Sequence, residues 1–308
     1  MIKLIKVTDV DINTRIDRWL KRNVASLNQS YLEKNFRKGL IKVNNKKISS
    51  NFKVKKNDII KIYNFSEKNY LTKQVKKLKK TIPDSVLKHF NKSIIFQNEN
   101  FIIIDKWDNI ATQGGSKISL SINDIIKNLS EEYNLVHRLD IDTSGLLIIS
   151  KNLKTTKLFG TLFREKKIKK IYFAVCNGSP KHNNLILKLK IPKKNDKGKF
   201  DHSITQYKVL FKNKKFSIIL FNPLTGKKHQ LRIVSKNIGC PIVGDKKYNI
   251  NAKNDFEKLK LNSYSLDFTL FKKKYTFYSK LPKHFYEFFK KNIINFKNKN
   301  ISKKLKSF

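Results

Sequence analysis

Cysteine is almost missing from this sequence, with Cys176 and Cys240 the only two, no C-x-x-C pair and no Cys/His spacing suited to a metal. That excludes a disulfide framework and the zinc-ribbon classes, and no metal site is expected. There is no apolar run long enough to span a membrane, and the opening Met1-Ile2-Lys3-Leu4-Ile5-Lys6-Val7 has neither a signal core nor a cleavage site. A cytoplasmic, reduced protein without a membrane partner is expected. No glycine stands five residues before Gly226, so Gly226-Lys227 is not a P-loop; with no glycine-rich loop or D-F-G, no nucleotide cofactor is expected.

Acidic residues are scarce: 23 Asp and Glu face 68 Lys and Arg, for a formal charge of +45. A polyanion is the natural partner, and nucleic acid leads because no basic amphipathic segment stands apart from the folded pattern. Arginine is scarcer still, seven among those 68 cations. The accompanying Asn and Ile excess has the look of AT-rich drift, so part of the lysine surplus carries no design. Each retained arginine then points to a need for the planar, bidentate fork.

The chain nevertheless carries a core. At 308 residues, 39% hydrophobic with 22 Phe and 11 Tyr, it has enough apolar material for one large domain and a small accessory one. Its centre is His137-Arg138-Leu139-Asp140-Ile141-Asp142-Thr143-Ser144-Gly145, running directly into Leu146-Leu147-Ile148-Ile149. A polar loop bearing a carboxylate and a guanidinium is thereby pinned at the mouth of a buried strand, and Gly145 can take the positive φ such a turn needs.

Residues 1–65 read as a small α/β module. Asn13-Thr14 is expected to cap a helix through Ile16, Trp19 and Leu20, and Asn28 to cap a second that Gly39 ends. A hairpin over 40–48 turning at Asn44-Asn45, then a strand at 59–62, completes it. Sixteen Lys and Arg against five acids give this stretch +11, which suits a phosphate-tracking surface. Residues 66–84 read as a basic linker, 85–294 as the large domain and 295–308 as a basic tail, after a terminal helix with Phe285, Phe288, Phe289 and Ile293 on one face. Within the large domain a hairpin is expected over 93–105, a helix over Leu153–Arg164, a strand over 170–175, strand-like pieces within 185–221, and a short helix from His229 to Lys236 presenting Arg232.

Five stretches carry a family resemblance. The central H-R-L-D-x-x-T-S-G resembles that of the RluA-type pseudouridine synthases at every fixed position. Lys170-Ile171-Tyr172-Phe173-Ala174 resembles the family's K-x-Y-x-A. Thr225-Gly226-Lys227-Lys228-His229-Gln230-Leu231-Arg232, followed by Gly239-Cys240-Pro241-Ile242-Val243-Gly244-Asp245, is similar to its third motif with Lys227 for Arg. Lys106-Trp107-Asp108-Asn109 resembles the first motif, with Trp107 for Pro and Asn109 for Gly; asparagine tolerates positive φ, so the turn is expected to survive. Residues 1–65 resemble a small S4 (αL-type) RNA-binding domain through Arg15, Asp17, Leu20, Arg37, Gly39 and Val43 to Lys47.

The resemblance implies an α+β fold with a mixed, mostly antiparallel sheet. It implies isomerisation of uridine to pseudouridine, with Asp140 as nucleophile or base, Arg232 paired to it, and Tyr172 stacked on a flipped base. His137, Arg138, Thr143 and Gln230 are expected on the RNA near the site, and Arg15, Arg37, Lys46 and Lys47 on the S4-like module. No cofactor is called for. The S4-like module and Gln113-Gly114-Gly115 look most like the bacterial 23S rRNA synthases of the C-type subgroup, acting as monomers. A non-catalytic RNA-binding ribosome-assembly factor is the alternative.

Overall fold

The computed structural model describes residues 1–8, 12–25, 27–66, 81–115, 118–192, 198–249, 257–292 and 294. Most of the expected linker, the whole expected tail and Ile293 lie outside the described residues. Two units divide the chain, Met1–Lys80 and Thr81–Phe308.

In the first unit, strand β1 (Lys3–Lys6) precedes helices α1 (Ile16–Asn23) and α2 (Gln29–Lys38), then β2 (Ile41–Val43), β3 (Lys46–Lys47) and β4 (Ile59–Ile62). The four strands form one antiparallel sheet in the order β1-β4-β2-β3, and Trp19, Leu20, Leu32 and Phe36 pack on it beside Ile41, Val43, Ile60 and Ile62. Asn44 and Asn45 both take positive φ, 48° and 64°, the two-residue turn a tight hairpin requires. Asn28 caps α2 by accepting from Ser30 N, and Gly39 ends it at φ 69°. The cap of α1 differs from expectation. Arg15 occupies it in extended conformation with no side-chain cap, because Arg15 is bridged to Lys53 and Asn13 turns the chain earlier at φ 62°.

The second unit is α+β, built on a mixed, mostly antiparallel sheet of ten strands. In chain order it comprises α3 (Asp84–Lys92), β5 (Ile94–Gln97), β6 (Phe101–Lys106), α4 (Ile122–Leu129), β7 (Asn134–Leu135), β8 (Ser144–Ser150), α5 (Leu153–Arg164), β9 (Lys169–Asn177), β10 (Asn184–Pro192), β11 (Phe200–Lys212), β12 (Phe216–Pro223), α6 (Gln230–Asn237), β13 (Leu261–Leu270), β14 (Lys273–Tyr278) and α7 (Lys283–Lys291). The sheet runs β10-β11-β12-β9-β13-β8-β6-β5, with β14 on β13 and β7 on β8. Every pairing is antiparallel except β13 with β8.

The apolar runs are explained by burial on both faces. Ile102, Ile104, Leu147 and Ile149 face Phe90, Ile122 and Ile126, while Phe101, Ile103, Leu146 and Ile148 face Phe159 and Phe268. Helix α5 starts at Leu153 because Asn152 accepts from Thr155 N, and it buries Phe159 while Leu158 stays 37% exposed. Among the described residues no helix is long and apolar enough to cross a membrane.

Register places the chemistry. Lys106 of β6 pairs with Gly145 of β8, Gly145 with Ser263 of β13, Ser263 with Tyr172 of β9, and Tyr172 with Phe221 of β12. One rung of the sheet thus carries the last residue of β6, the strand start beside Asp140, and Tyr172. Gly145 makes the rung possible: at φ 105°, a Cβ there would lie 2.4 Å from Ser263 O.

Candidate active site

Above this rung lies a cleft of about 940 Å³, lined among others by Arg138, Leu139, Asp140, Thr143, Tyr172, His229 and Arg232. Its wall carries eight Lys and Arg side chains, Arg138, Arg164, Lys166, Lys169, Lys170, Lys227, Lys228 and Arg232, against one carboxylate, Asp140. The cleft is thus strongly cationic around a single carboxylate.

Asp140 sits in the turn before β8, where its carbonyl accepts from Thr143 N at 3.1 Å. Its side chain is 22% exposed. Leu139, before it, is buried at 4% in the core beneath, so the turn is anchored by an apolar side chain while the carboxylate faces the cleft.

Arg232 faces Asp140 as expected, but not through its fork. Its fork is spent on Asp245, Nε to Oδ2 at 2.8 Å and Nη2 to Oδ1 at 2.7 Å, with the two side chains 9% and 0% exposed. Nη1 is left facing Asp140 Oδ2 at 3.7 Å, beyond hydrogen-bond reach. The cause lies in α6: Leu231 and Val234 bury against the sheet, which turns Arg232 toward the loop that carries Asp245. Burial works against charge on both partners, but their mutual hydrogen bonds outweigh it, holding Asp245 low and Arg232 high. Asp245 also accepts from Lys247 N and Tyr248 N, both at 3.0 Å, which shapes the following turn.

That turn delivers Tyr248 to His229. The Tyr248 hydroxyl and His229 Nδ1 are 3.0 Å apart, His229 Nε2 lies 3.9 Å from Asp140 Oδ1, and the Arg232 guanidinium sits 5.3 Å from the Tyr248 ring centre. Burial, with Arg232, Lys247 and Lys228 adding to it against Asp140, holds the His229 pKa below its ordinary value. His229 stands at the start of α6 with φ 53°, a conformation a non-glycine residue adopts rarely. Tyr172 lines the same cleft from β9, and burial, with the Asp140 charge adding to it, pushes its phenol up to about 12, so it remains a neutral aromatic.

The other expected contacts divide. Arg138 is exposed at the cleft with no ion pair among the described residues, free to meet a ligand. His137 is committed inward: its Nε2 accepts from Ile148 N at 2.9 Å, its ring lies against Phe163, and burial, aided by Lys170, pulls its pKa to about 3. Gln230 is likewise engaged. Its Oε1 accepts from Thr225 Oγ1 and Lys227 N, and its Nε2 donates to Ile204 O and Thr205 Oγ1. With all its amide capacity used it ties the loop to β11. Thr143 is 2% exposed in the cleft floor.

In the first unit Lys46, Lys47 and Arg37 are exposed, whereas Arg15 donates twice to the buried Asp17 at 3.2 and 2.7 Å. The turn at Asn109 survives, with φ 62°.

Sequence reasoning singled out His229 with its motif but gave it no role, and it missed Asp245 and Tyr248 as partners of the site. Asp245 closes a motif that was recognised, but nothing in its spacing says which cation it receives.

Residues 100–237 match the family model described as RNA pseudouridylate synthase. Over 303 residues the chain is 38% identical to the ribosomal large subunit pseudouridine synthase C of Rickettsia felis, covering 90% of this chain and 97% of that one. The protein of the same description from Buchnera aphidicola is 31% identical over 277 residues, with 84% of each chain covered. Human RNA pseudouridylate synthase domain containing 4 is similar in structure, with a TM-score of 0.61 at 23% identity over 70% of this chain and 98% of that chain.

Proposed function

The chain belongs to the RluA-type RNA pseudouridylate synthases, and from that premise we propose that it isomerises specific uridines of large-subunit (23S) ribosomal RNA through the Asp140 carboxylate. The relatives' descriptions support the substrate. The observation that carries the residue is that Asp140 is the one carboxylate lining a cation-rich cleft among the described residues.

The reaction breaks the N1–C1′ bond and forms C5–C1′, and the proton lost from C5 ends on N1, so atoms balance without a redox partner. An ionised carboxylate can attack C1′ or C6, or take the 2′ proton toward a glycal; all three routes start from the same group. The uridine must first leave its stack, which costs a few kcal/mol. Tyr172 supplies a flat face for the extruded base, and Arg138 a planar fork for the vacated stack or a phosphate. Contacts from the cleft lysines and from an S4-like first unit bearing Arg37, Lys46 and Lys47 offset the extrusion cost. The reading has the enzyme working in the cytoplasm as a monomer, with no cofactor.

Asp140→Asn keeps the shape of the turn and removes the nucleophile. Pseudouridine formation on large-subunit rRNA fragments should fall by at least about 10³-fold while RNA affinity changes less than about threefold. Turnover near wild type in the pure variant would remove Asp140 from the role.

A further inference from the structure

Asp140 is held from both sides by main-chain bonds to side chains that do not line the cleft. On one side stands Thr112, 2% exposed, whose Oγ1 donates to Leu139 O at 2.7 Å and accepts from Leu139 N at 3.1 Å. One hydroxyl thus satisfies both main-chain groups of the residue before Asp140. On the other side stands Lys106, which is 0% exposed. Its Nζ donates to Ile141 O at 3.2 Å, Trp107 O at 2.9 Å and Ile110 O at 3.0 Å. Burial pulls the Lys106 pKa down to about 7; in its ammonium form it has three donors, each ending on a carbonyl, one of them belonging to the residue after Asp140.

Burying a cation without a carboxylate against it is expensive, and a methionine would fill the same space at lower cost. Asp108, Asp142 and Asp140 act on Lys106 only through space. The arrangement is therefore explained by what it holds rather than by core stability. Lys106 ends β6 and pairs in register with Gly145, so the clamp is fixed to the sheet rung that also carries Tyr172.

We infer that Thr112 and Lys106 are positioning residues that aim the Asp140 carboxylate into the cleft, gripping the chain through Leu139 and Ile141. The inference rests on Asp140 being the reacting carboxylate. Neither clamp residue touches the substrate, so their effect falls on turnover rather than on binding.

Thr112→Val preserves shape and removes the hydroxyl. In the full-length enzyme, kcat on saturating RNA should fall about 10- to 100-fold, the scale of a misplacement near 1 Å, with KM and RNA affinity within about twofold. Thr112→Ser should restore kcat to within about threefold. Amide hydrogen exchange in a peptide spanning 137–143 should rise in Thr112→Val and return in Thr112→Ser, while exchange in β6 and β8 stays unchanged. Lys106→Met should repeat the loss in kcat and the raised exchange. A Thr112→Val enzyme with wild-type kcat, an unchanged 137–143 exchange, or a Thr112→Ser variant no better than Val would overturn the clamp. Asp140→Asn run in parallel separates the two claims: if it keeps turnover, the reading of Asp140 falls, and the exchange data still decide whether the clamp holds the turn.

Discussion

Replacing Asp245 by Asn tests whether the Arg232 fork is anchored away from Asp140. The amide keeps one oxygen, enough for the Lys247 and Tyr248 main-chain donors that now bond Oδ1, but it sets an N–H donor against the guanidinium in place of the second acceptor. The pair is buried, 9% and 0% exposed, and removing one partner of such a pair costs about 3–5 kcal/mol. For a domain of this size each kcal/mol moves Tm by about 2–4 °C, so a fall of roughly 6–20 °C is expected. Asp140→Asn offers the contrast. Its contact with Arg232 is 3.7 Å long and its carboxylate is 22% exposed, so about 0–1 kcal/mol and at most about 4 °C are at stake. Thermal unfolding of the full chain at low salt and at about 0.5 M salt measures both, and the larger shift should persist in salt because water and ions do not reach the buried pair. If Asp140→Asn lowered Tm more than Asp245→Asn, the assignment of the fork to Asp245 would be wrong.

Three further outcomes follow from the same geometry. Gly145→Ala should destabilise the second unit by about 3–6 kcal/mol, because the new Cβ meets main chain rather than a movable side chain and the φ is strained; a Tm within about 2 °C of wild type would contradict the close approach. His137 has a folded pKa of about 3, below its unfolded value near 6.5, so the unfolded chain takes the proton first: this stability is present above pH 6.5 and is lost as pH falls, by about 2–3 kcal/mol at pH 4.5. Urea unfolding at the two pH values should show His137→Gln declining less steeply, its amide oxygen replacing Nε2 as acceptor for Ile148 N; parallel declines would refute the point. Changing Lys46 and Lys47 together to Ala should flatten the salt dependence of RNA binding by up to about 1.4–1.8 in logarithmic slope, leaving turnover on saturating RNA intact, and an unchanged slope would remove the hairpin from the RNA surface.

What the sequence made legible was local. Helix α5 was readable over Leu153–Arg164 from its apolar spacing, of which Phe159 is the buried position while Leu158 stays exposed, and the β2–β3 hairpin because paired asparagines between alternating residues suit a tight turn. Strand β13 was not readable: Asn262, Ser263 and Ser265 are buried polar residues in mid-sheet, and Asn262 is acceptable there only because it donates to Ser144 and Ser279. No local pattern announces a strand whose buried Asn262 amide nitrogen finds its partners 17 and 118 residues away. Helix α4 carried a signal that was passed over, the capping box of Ser121 and Asp124.

The same divide runs through the site. The residue types and their order identified Asp140, Tyr172 and Arg232, but partner choice is tertiary, and for Arg232 it inverts the simplest electrostatic picture. An arginine clamped bidentately on Asp140 would stabilise the carboxylate and also occupy both of its oxygens, opposing attack on carbon. With its fork spent on Asp245, Arg232 lies 3.7 Å from Asp140 without covering its oxygens. The geometry of the turn must then come from elsewhere, and here it comes from main-chain bonds to Thr112, Lys106 and Thr143. A nucleophile needs orientation and exposed lone pairs together. For Asp140 in its proposed role, the two tasks would be divided between buried main-chain grips and a displaced cation.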